Sequence, residues 1–308
     1  MLYNRILITG ANGLLGQALV RRMSRFPEYD VLATGRDDAP RYEGGSCGYA
    51  PLDVTDPEAI RDLFQDFAPN VVINCAAMTQ VDRCEQDREA CWAVNADAVE
   101  SLAEACKTIG ARLVQVSTDF VFDGEEGPYH EDARPEPINY YGRSKLAAEN
   151  AVRAAGMSKW AIVRTVLVYG TGHELSRSNF VLWLLNELQN GRSVHIVDDQ
   201  WRTPTYVDDL ALGIERLVHF EKTGLYHVSG RELLSVHDFA LTVADVFGQD
   251  PGLIHPVSSD YFDSAAARPP RTGFIILKAE TELGYKPRST RDALIHLGNK
   301  LDLPVASR

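Results

Sequence analysis

Residues 6–26 read ILITGANGLLGQALVRRMSRF. Ile6 to Thr9 is a short apolar run, the pattern of a parallel strand buried on both faces. Gly10, Gly13 and Gly16 follow at G-x-x-G-x-x-G spacing, and a helical stretch begins at Gln17. Glycines at a strand-to-helix junction permit a tight turn and close backbone approach. They aim the helix N-terminus at a pyrophosphate. The reading is a dinucleotide site on Gly10, Asn12, Gly13, Leu14, Leu15 and Gly16. The fold class it implies is α/β: a Rossmann-type doubly wound parallel sheet, with a smaller, mostly helical C-terminal lobe for substrate.

Working outward, Asp30–Thr34 is the second strand, followed by Gly35-Arg36 where an NAD site usually has an acid for the ribose hydroxyls. A guanidinium suits a 2′-phosphate, although Asp37 and Asp38 come next. Residues 39–50 are loop-like, with Pro40, Gly44, Gly45 and Gly48. Leu52–Val54 ends a short strand, where Asp53 is placed to accept from an adenine amino group. Asp56 and Pro57 form an N-cap and first helical position, with the helix running to about Phe67. Val71–Cys75 is a further buried strand. Ala76 and Ala77 behind it are small enough for a cofactor to lie against the backbone. Glu89–Gly110 is one long helical segment with Asn95 inside it, a residue that competes for backbone hydrogen bonds and marks a local distortion. Arg112–Ser117 is another strand, and Thr118 leaves its carboxyl end, where open α/β folds place ligands.

Tyr140 to Glu149 reads YYGRSKLAAE. Tyr141 and Lys145 stand four apart and share one helix face. A fixed cation about 5 Å from a phenol, at an effective dielectric of ~20, is worth roughly 3 kcal/mol, or about 2 pKa units. Tyr141 is thereby suited to give a proton to a carbonyl oxygen as hydride reaches its carbon. Alone, the pair is also what a surface aromatic beside a surface lysine would give; the parts in order around it decide the matter.

The chain has 308 residues, 45% hydrophobic and 24% charged, as in a globular protein with room for one large or two ordinary domains. A net charge of −12 argues against nucleic acid. No apolar run approaches ~18 residues, which argues against a membrane span. LYNRILITG runs directly into a strand without a signal-peptide pattern. The five cysteines are dispersed, with no C-x-x-C, which favours a reducing cytoplasm over a disulfide frame or zinc site. The histidines are scattered and the Asp pairs 198–199 and 208–209 read as helix-flanking, so no metal is expected.

NCAAMTQVDRCEQD, STDFVFDG, PYHEDARPEPINYYGRSKLAAE, VRTVLVYG, DDQWRTPTYVDDLA, ARPPRTGF and LGYKPRST occur in that order along nearly the whole chain. In them the sequence resembles an extended short-chain dehydrogenase/reductase, and more narrowly the dTDP-4-dehydrorhamnose reductase family. The resemblance implies Thr118, Tyr141 and Lys145 as catalytic residues, with Tyr141 as proton donor and Lys145 on the nicotinamide ribose. It implies Gly10, Gly13, Gly16, Asp53, Ala76 and Ala77 around the cofactor, and Asn95 as a buried support. The cofactor set extends to Arg36, Val54, Ser117 and Thr165. The cofactor is NADP(H), with NAD(H) as the alternative.

The resemblance also implies that residues 1–170 form the dinucleotide-binding domain, with 205–230 returning to it, and that 171–204 and 231–308 form the substrate lobe. Phe180 and Trp201 are candidates to stack on a base or line the sugar pocket, and Arg202 and Arg268 to hold a diphosphate. The expected partner is a nucleotide sugar, with neither nucleic acid nor membrane; a homodimer is compatible. Two departures bear on the substrate. Leu167 stands where the reductases often carry Trp, and the glycine loop reads GLLG rather than Gln-Leu-Gly. Both bring the chain closer to the methionine adenosyltransferase beta-subunit, a regulatory relative that keeps the fold and binds NADP. Phe120 replaces the glutamate that a 4,6-dehydratase needs; a 4-epimerase uses the same three residues and stays open.

Overall fold

The computed structural model describes residues 4–42, 47–176 and 178–305. Gly44 and Gly45 of the expected loop, and Arg177, lie outside the described residues. In chain order the first half holds β1 (Asn4–Thr9), α1 (Leu14–Met23), β2 (Tyr29–Gly35), β3 (Gly48–Pro51), α2 (Pro57–Phe67) and β4 (Val71–Asn74). It continues through α3 (Val81–Gln86), α4 (Arg88–Trp92), a π-helical turn (Ala93–Asp97), α5 (Ala98–Ile109), β5 (Arg112–Thr118), α6 (Tyr140–Ala154) and β6 (Trp160–Thr165). After these come β7 (Val168–Tyr169), α7 (Phe180–Gln189), β8 (Val194–Val197), β9 (Trp201–Arg202), β10 (Thr205–Tyr206), α8 (Val207–His219) and β11 (Gly224–His227). β12 (Leu234–Ser235), α9 (Val236–Val246), β13 (Ile254–Val257), α10 (Leu277–Leu283) and α11 (Thr290–Lys300) complete it.

Seven strands form one parallel sheet in the order β11-β6-β5-β4-β1-β2-β3. Alternate residues of β1 explain why its sequence is apolar throughout. Ile6 and Ile8 enter the core beneath α1 and α8, while Leu7 joins Ile60, Phe64, Val99 and Leu102 of α2 and α5 on the other face. The fold is thus a Rossmann-type α/β sheet with helices on both faces. Asp56 caps α2, its Oδ1 accepting from the backbone N–H of Glu58 at 2.9 Å and Ala59 at 3.1 Å, with Pro57 at the first position.

One expectation needs correction. Residues 48–50, read as loop, form the edge strand β3 together with Pro51, and Leu52–Val54, read as a strand's end, lies beyond it. Gly48 and Pro51 hide any period-two pattern. The strand is held by pairing with β2, and its proline sits at the last residue of an edge, where no ladder donor is needed. The distortion expected at Asn95 within the helical segment 89–110 is a π-helical turn between α4 and α5.

Beyond residue 170 the chain holds two-stranded pairs as well as helices: β7 with β10, β8 with β13 and β9 with β12. β11 pairs with β6 within the main sheet, and α8 lies on α1, where Arg22 donates to Glu215 at 2.9 Å. Among the described residues no helix is long and apolar enough to cross a membrane.

Candidate active site

The carboxyl ends of β1, β4 and β5 meet the N-termini of α1 and α6. Gly10 has φ +64°, and a Cβ there would stand 2.7 Å from the Ala76 nitrogen. A Cβ on Gly16 would stand 2.3 Å from the Gly10 oxygen. The turn, the first turn of α1 and the segment after β4 are therefore packed backbone to backbone. Gly13 is the N-cap of α1; no side chain caps the helix and no acid lies in its first turn. Leu14 and Leu15 open the helix, and its first amides keep their partial positive charge for an anion. Ala76 and Ala77 are half-buried at the end of β4.

Arg36 is exposed just past β2 and makes no hydrogen bond or ion pair with the other described residues. Its acidic neighbour Asp37 is engaged: Asn12 Nδ2 donates to it at 2.8 Å, and Arg41 Nε lies 2.9 Å away. Those bonds, Arg41 first, hold the Asp37 carboxyl below its usual range. Asn12 also donates to Tyr49 Oη at 3.2 Å and accepts from the Arg41 backbone N–H at 2.9 Å. Its side chain braces the 36–41 loop against the glycine turn. Asp53 accepts from both the backbone and hydroxyl of Thr55, while Val54 beside it is buried.

Tyr141 and Lys145 lie in the first two turns of α6. Asn139 caps that helix, accepting from the Gly142 N–H at 2.8 Å and donating to the Ala267 oxygen at 2.8 Å. Gly142 was not singled out by sequence, yet a Cβ there would fall 2.0 Å from the Phe120 oxygen. Absence of that Cβ lets α6 start hard against the turn that follows Thr118. Lys145 is buried and its Nζ donates to the Val116 oxygen of β5 at 2.8 Å. Burial pushes its ammonium down to about 8, with the Glu149 carboxylate opposing. Tyr141 is 8% exposed, its ring edge-on to Phe120 at 5.9 Å. Thr118 ends β5 beside Thr165 of β6, in register. The Thr165 hydroxyl is buried with no hydrogen-bond partner among the described residues, an orphan a bound ligand would satisfy.

Ser117, predicted for the cofactor, and Asn95, predicted as a buried support, both turn their side chains into the protein. Ser117 donates to Glu149 Oε1 at 2.7 Å, part of a buried cluster in which Arg164 contacts both carboxylate oxygens at 2.7 Å. Burial opposes the Glu149 charge most, but Arg164 and Ser117 outweigh it and hold the carboxyl below its usual range. Asn95 accepts from the Met78 N–H at 2.8 Å and donates to the Met78 oxygen and Ser144 Oγ, each at 3.0 Å. It fastens the segment after β4 to α6.

The four predicted substrate residues do not converge as free groups. Phe180 stacks on Phe239 at 5.6 Å, and Trp201 is half-buried under Arg271. Arg202 is buried; its two Nη atoms donate to the Trp201, Pro269 and Pro270 oxygens and to Gln200 Oε1. Its fork is occupied by protein acceptors. Arg268 reaches across to α3, where it contacts both Asp82 oxygens at 3.1 and 2.5 Å. Leu167 adopts φ +38° and packs on the main core. Sequence reasoning passed over Asp119 and Thr272, both buried behind Thr118; adjacency of Asp119 to Thr118 was the available signal. Among the described residues no group of three or more His, Cys, Asp or Glu is arranged for a metal ion.

A parallel sheet ending in a glycine turn, with an uncapped helix behind it and a Tyr-x-x-x-Lys helix alongside, defines a Rossmann-type nucleotide-binding protein. Residues 4–302 match the model of the RmlD substrate binding domain, and the chain belongs to that family. It is 36% identical over 267 residues to a dTDP-4-keto-6-deoxy-D-glucose reductase of Streptomyces niveus, covering 86% of each protein. It is 35% identical over 263 residues to the methionine adenosyltransferase 2 subunit beta of Xenopus laevis, covering 83% of this chain and 76% of that protein. Among solved structures it resembles dTDP-4-dehydrorhamnose reductase from Bacillus anthracis in complex with NADP. The TM-score is 0.86 at 32% identity, over 97% of this chain and 99% of that one.

Proposed function

We propose that the protein is an NADPH-dependent reductase of a 4-keto nucleotide sugar, with dTDP-4-dehydrorhamnose as the first substrate to try. The observation that carries this is Lys145, buried one helical turn from Tyr141 and held on β5 two residues before Thr118. The glycine turn supports the cofactor: a Cβ on Gly10 would strike the Ala76 backbone and one on Gly16 the Gly10 oxygen, so the turn closes tightly ahead of α1 only with glycine at both. NADPH would lie on Gly10–Gly16 with Asp53 and Val54 near the adenine, Arg36 at the 2′-phosphate, and Ala76, Ala77 and Thr165 along its length. When bound, it supplies the hydride. Lys145 carries positive charge at pH 7, below its value of about 8, and lowers the cost of removing the phenol proton. Tyr141 gives that proton to the substrate oxygen, and Thr118 orients the oxygen. NADH is the weaker cofactor in this reading.

The second reading, an NADP-binding regulatory subunit, is favoured by Leu167 in place of the reductases' Trp and by the identity to the methionine adenosyltransferase subunit. The experiment is NADPH oxidation with a panel of 4-keto nucleotide sugars. Wild type is expected to turn over a dTDP-4-keto-6-deoxyhexose, with activity falling as pH rises through about 8, where Lys145 loses its proton. Tyr141→Phe is expected to lose turnover by roughly 10²–10⁴-fold while still binding cofactor. Wild-type binding of NADPH with no turnover on any sugar overturns the reductase reading and favours the regulatory one.

A further inference from the structure

Behind Thr118 lies a buried polar cluster that the proposed chemistry does not use. Thr118 Oγ1 accepts from the Phe120 backbone N–H at 3.2 Å and donates to Asp119 Oδ1 at 3.1 Å. A hydroxyl has one proton and two lone pairs, so only one lone pair of Thr118 is left. Asp119 is 3% exposed, and its other oxygen, Oδ2, accepts from the hydroxyl of Thr272, which is fully buried. Arg202 Nε stands 3.7 Å from the same oxygen. Arg202 and Thr272 come from segments far along the chain, near β9 and just before α10, and Arg202 also donates to the Pro269 and Pro270 oxygens that lead to Thr272. The two segments are thus joined to each other and to Asp119.

We propose that Asp119 is a positioning residue: its carboxylate fixes the rotamer of the Thr118 hydroxyl, and Arg202 and Thr272 fix the carboxylate, so that the substrate lobe sets Thr118. The inference rests on the reading of Thr118 as the residue that orients the substrate oxygen. Its consequence is chemical. Thr118 has its proton directed inward and faces the site with a lone pair, so it orients the substrate oxygen by accepting from the hydroxyl that forms there, which leaves Tyr141 as the proton donor to that oxygen. An alanine at residue 119 would leave the hydroxyl free to rotate and Arg202 buried without its anion. Burial is the largest influence on Asp119 and raises its pKa, against Arg202, Thr272 and Thr118, which lower it. The charged groups around it are Arg202 and, beyond that, Arg268 paired with Asp82.

The test uses the full chain with ¹³C-carboxyl aspartate. The Asp119 resonance is the one lost in Asp119→Asn. Thr118→Val and Thr272→Val each remove a donor to the carboxylate, so each is expected to raise the Asp119 midpoint by about half a pH unit or more, a threefold change in ionisation. Thr272→Ser restores it. In turnover, Thr272→Val is expected to lower kcat roughly tenfold without changing NADPH affinity, again restored by serine. An Asp119 midpoint that moves in neither valine variant overturns the proposal, as does an unchanged kcat in both Asp119→Asn and Thr272→Val. A wild type without turnover sinks the reductase reading alone, because the carboxylate midpoint still decides the clamp.

Discussion

The two ends of this site are built in opposite ways. At the glycine turn, Gly10, Gly13 and Gly16 lie within seven residues, and in the proposed reading recognition rests on the first backbone amides of α1, which no side chain caps. At the seam with the later segments, side chains reach across long stretches of chain, some buried and some partly exposed. Asp119 meets Thr272 at a separation of 153 residues and Asp82 meets Arg268 at 186. The first arrangement tolerates no added atom. The second tolerates no lost partner where it is buried, at Asp119 and Arg202, since an unpaired buried charge is costly. The contrast teaches that cofactor binding and substrate-side geometry are separable in this molecule, because they depend on different kinds of contact.

Three variants test that separation, beginning with the greatest effect. Gly16→Ala puts a methyl group 2.3 Å from the Gly10 oxygen. Overpacking of this kind is expected to weaken NADPH binding on the order of 100-fold, about 2.8 kcal/mol. A fluorescence titration measures it, and an unchanged Kd would show that the turn does not carry the cofactor. Arg36→Ala comes next. A charge-assisted bond to a 2′-phosphate is worth ~1.5–3 kcal/mol, so the NADPH-over-NADH ratio of kcat/KM should fall by about 10- to 150-fold. Asp37, already bound by Arg41 and Asn12, does not oppose the phosphate strongly. A ratio left unchanged removes Arg36 from the site. Arg268→Ala has the smallest expected effect, because both partners are partly exposed, at 27% and 43%. Its ion pair should be worth under ~1 kcal/mol, with a small fall in Tm and a sugar KM within about threefold of wild type. A much larger rise in KM would mean that this end also recognises anions, and the contrast would narrow.

What could be seen in the sequence divides along the same line. The glycine spacing, the apolar runs of β1 and β4, and the Asp56-Pro57 helix start are local, and local patterns are printed in neighbouring residues. The edge strand β3 was hidden because Gly48 and Pro51 suppress the signal and only pairing with β2 supplies it. The occupied fork of Arg202 was equally invisible: its acceptors at Pro269 and Pro270 lie 67 and 68 residues away. Thr118, Tyr141 and Lys145 stood out through resemblance and spacing, whereas Asp119 and Gly142 were passed over. Gly142 matters only for what approaches it, the Phe120 oxygen, and nothing in its own neighbours announces that.

The π-helical turn at Ala93–Asp97 has a bearing on chain length. Such a turn holds one residue more than a regular helix would place there. Each helical residue advances the side chains by about 100°, so α4 and α5 are out of phase by one step across it. Asn95 lies within that turn and bonds both the N–H and the oxygen of Met78 from it. In an alignment, a relative whose helix runs unbroken would show a one-residue gap here, resembling the harmless length variation of a helix surface. The same deletion in this chain would swing Asn95 away from the strand end it fastens, so a gap at this position separates chains that hold the Met78 segment in this way from chains that must hold it by another.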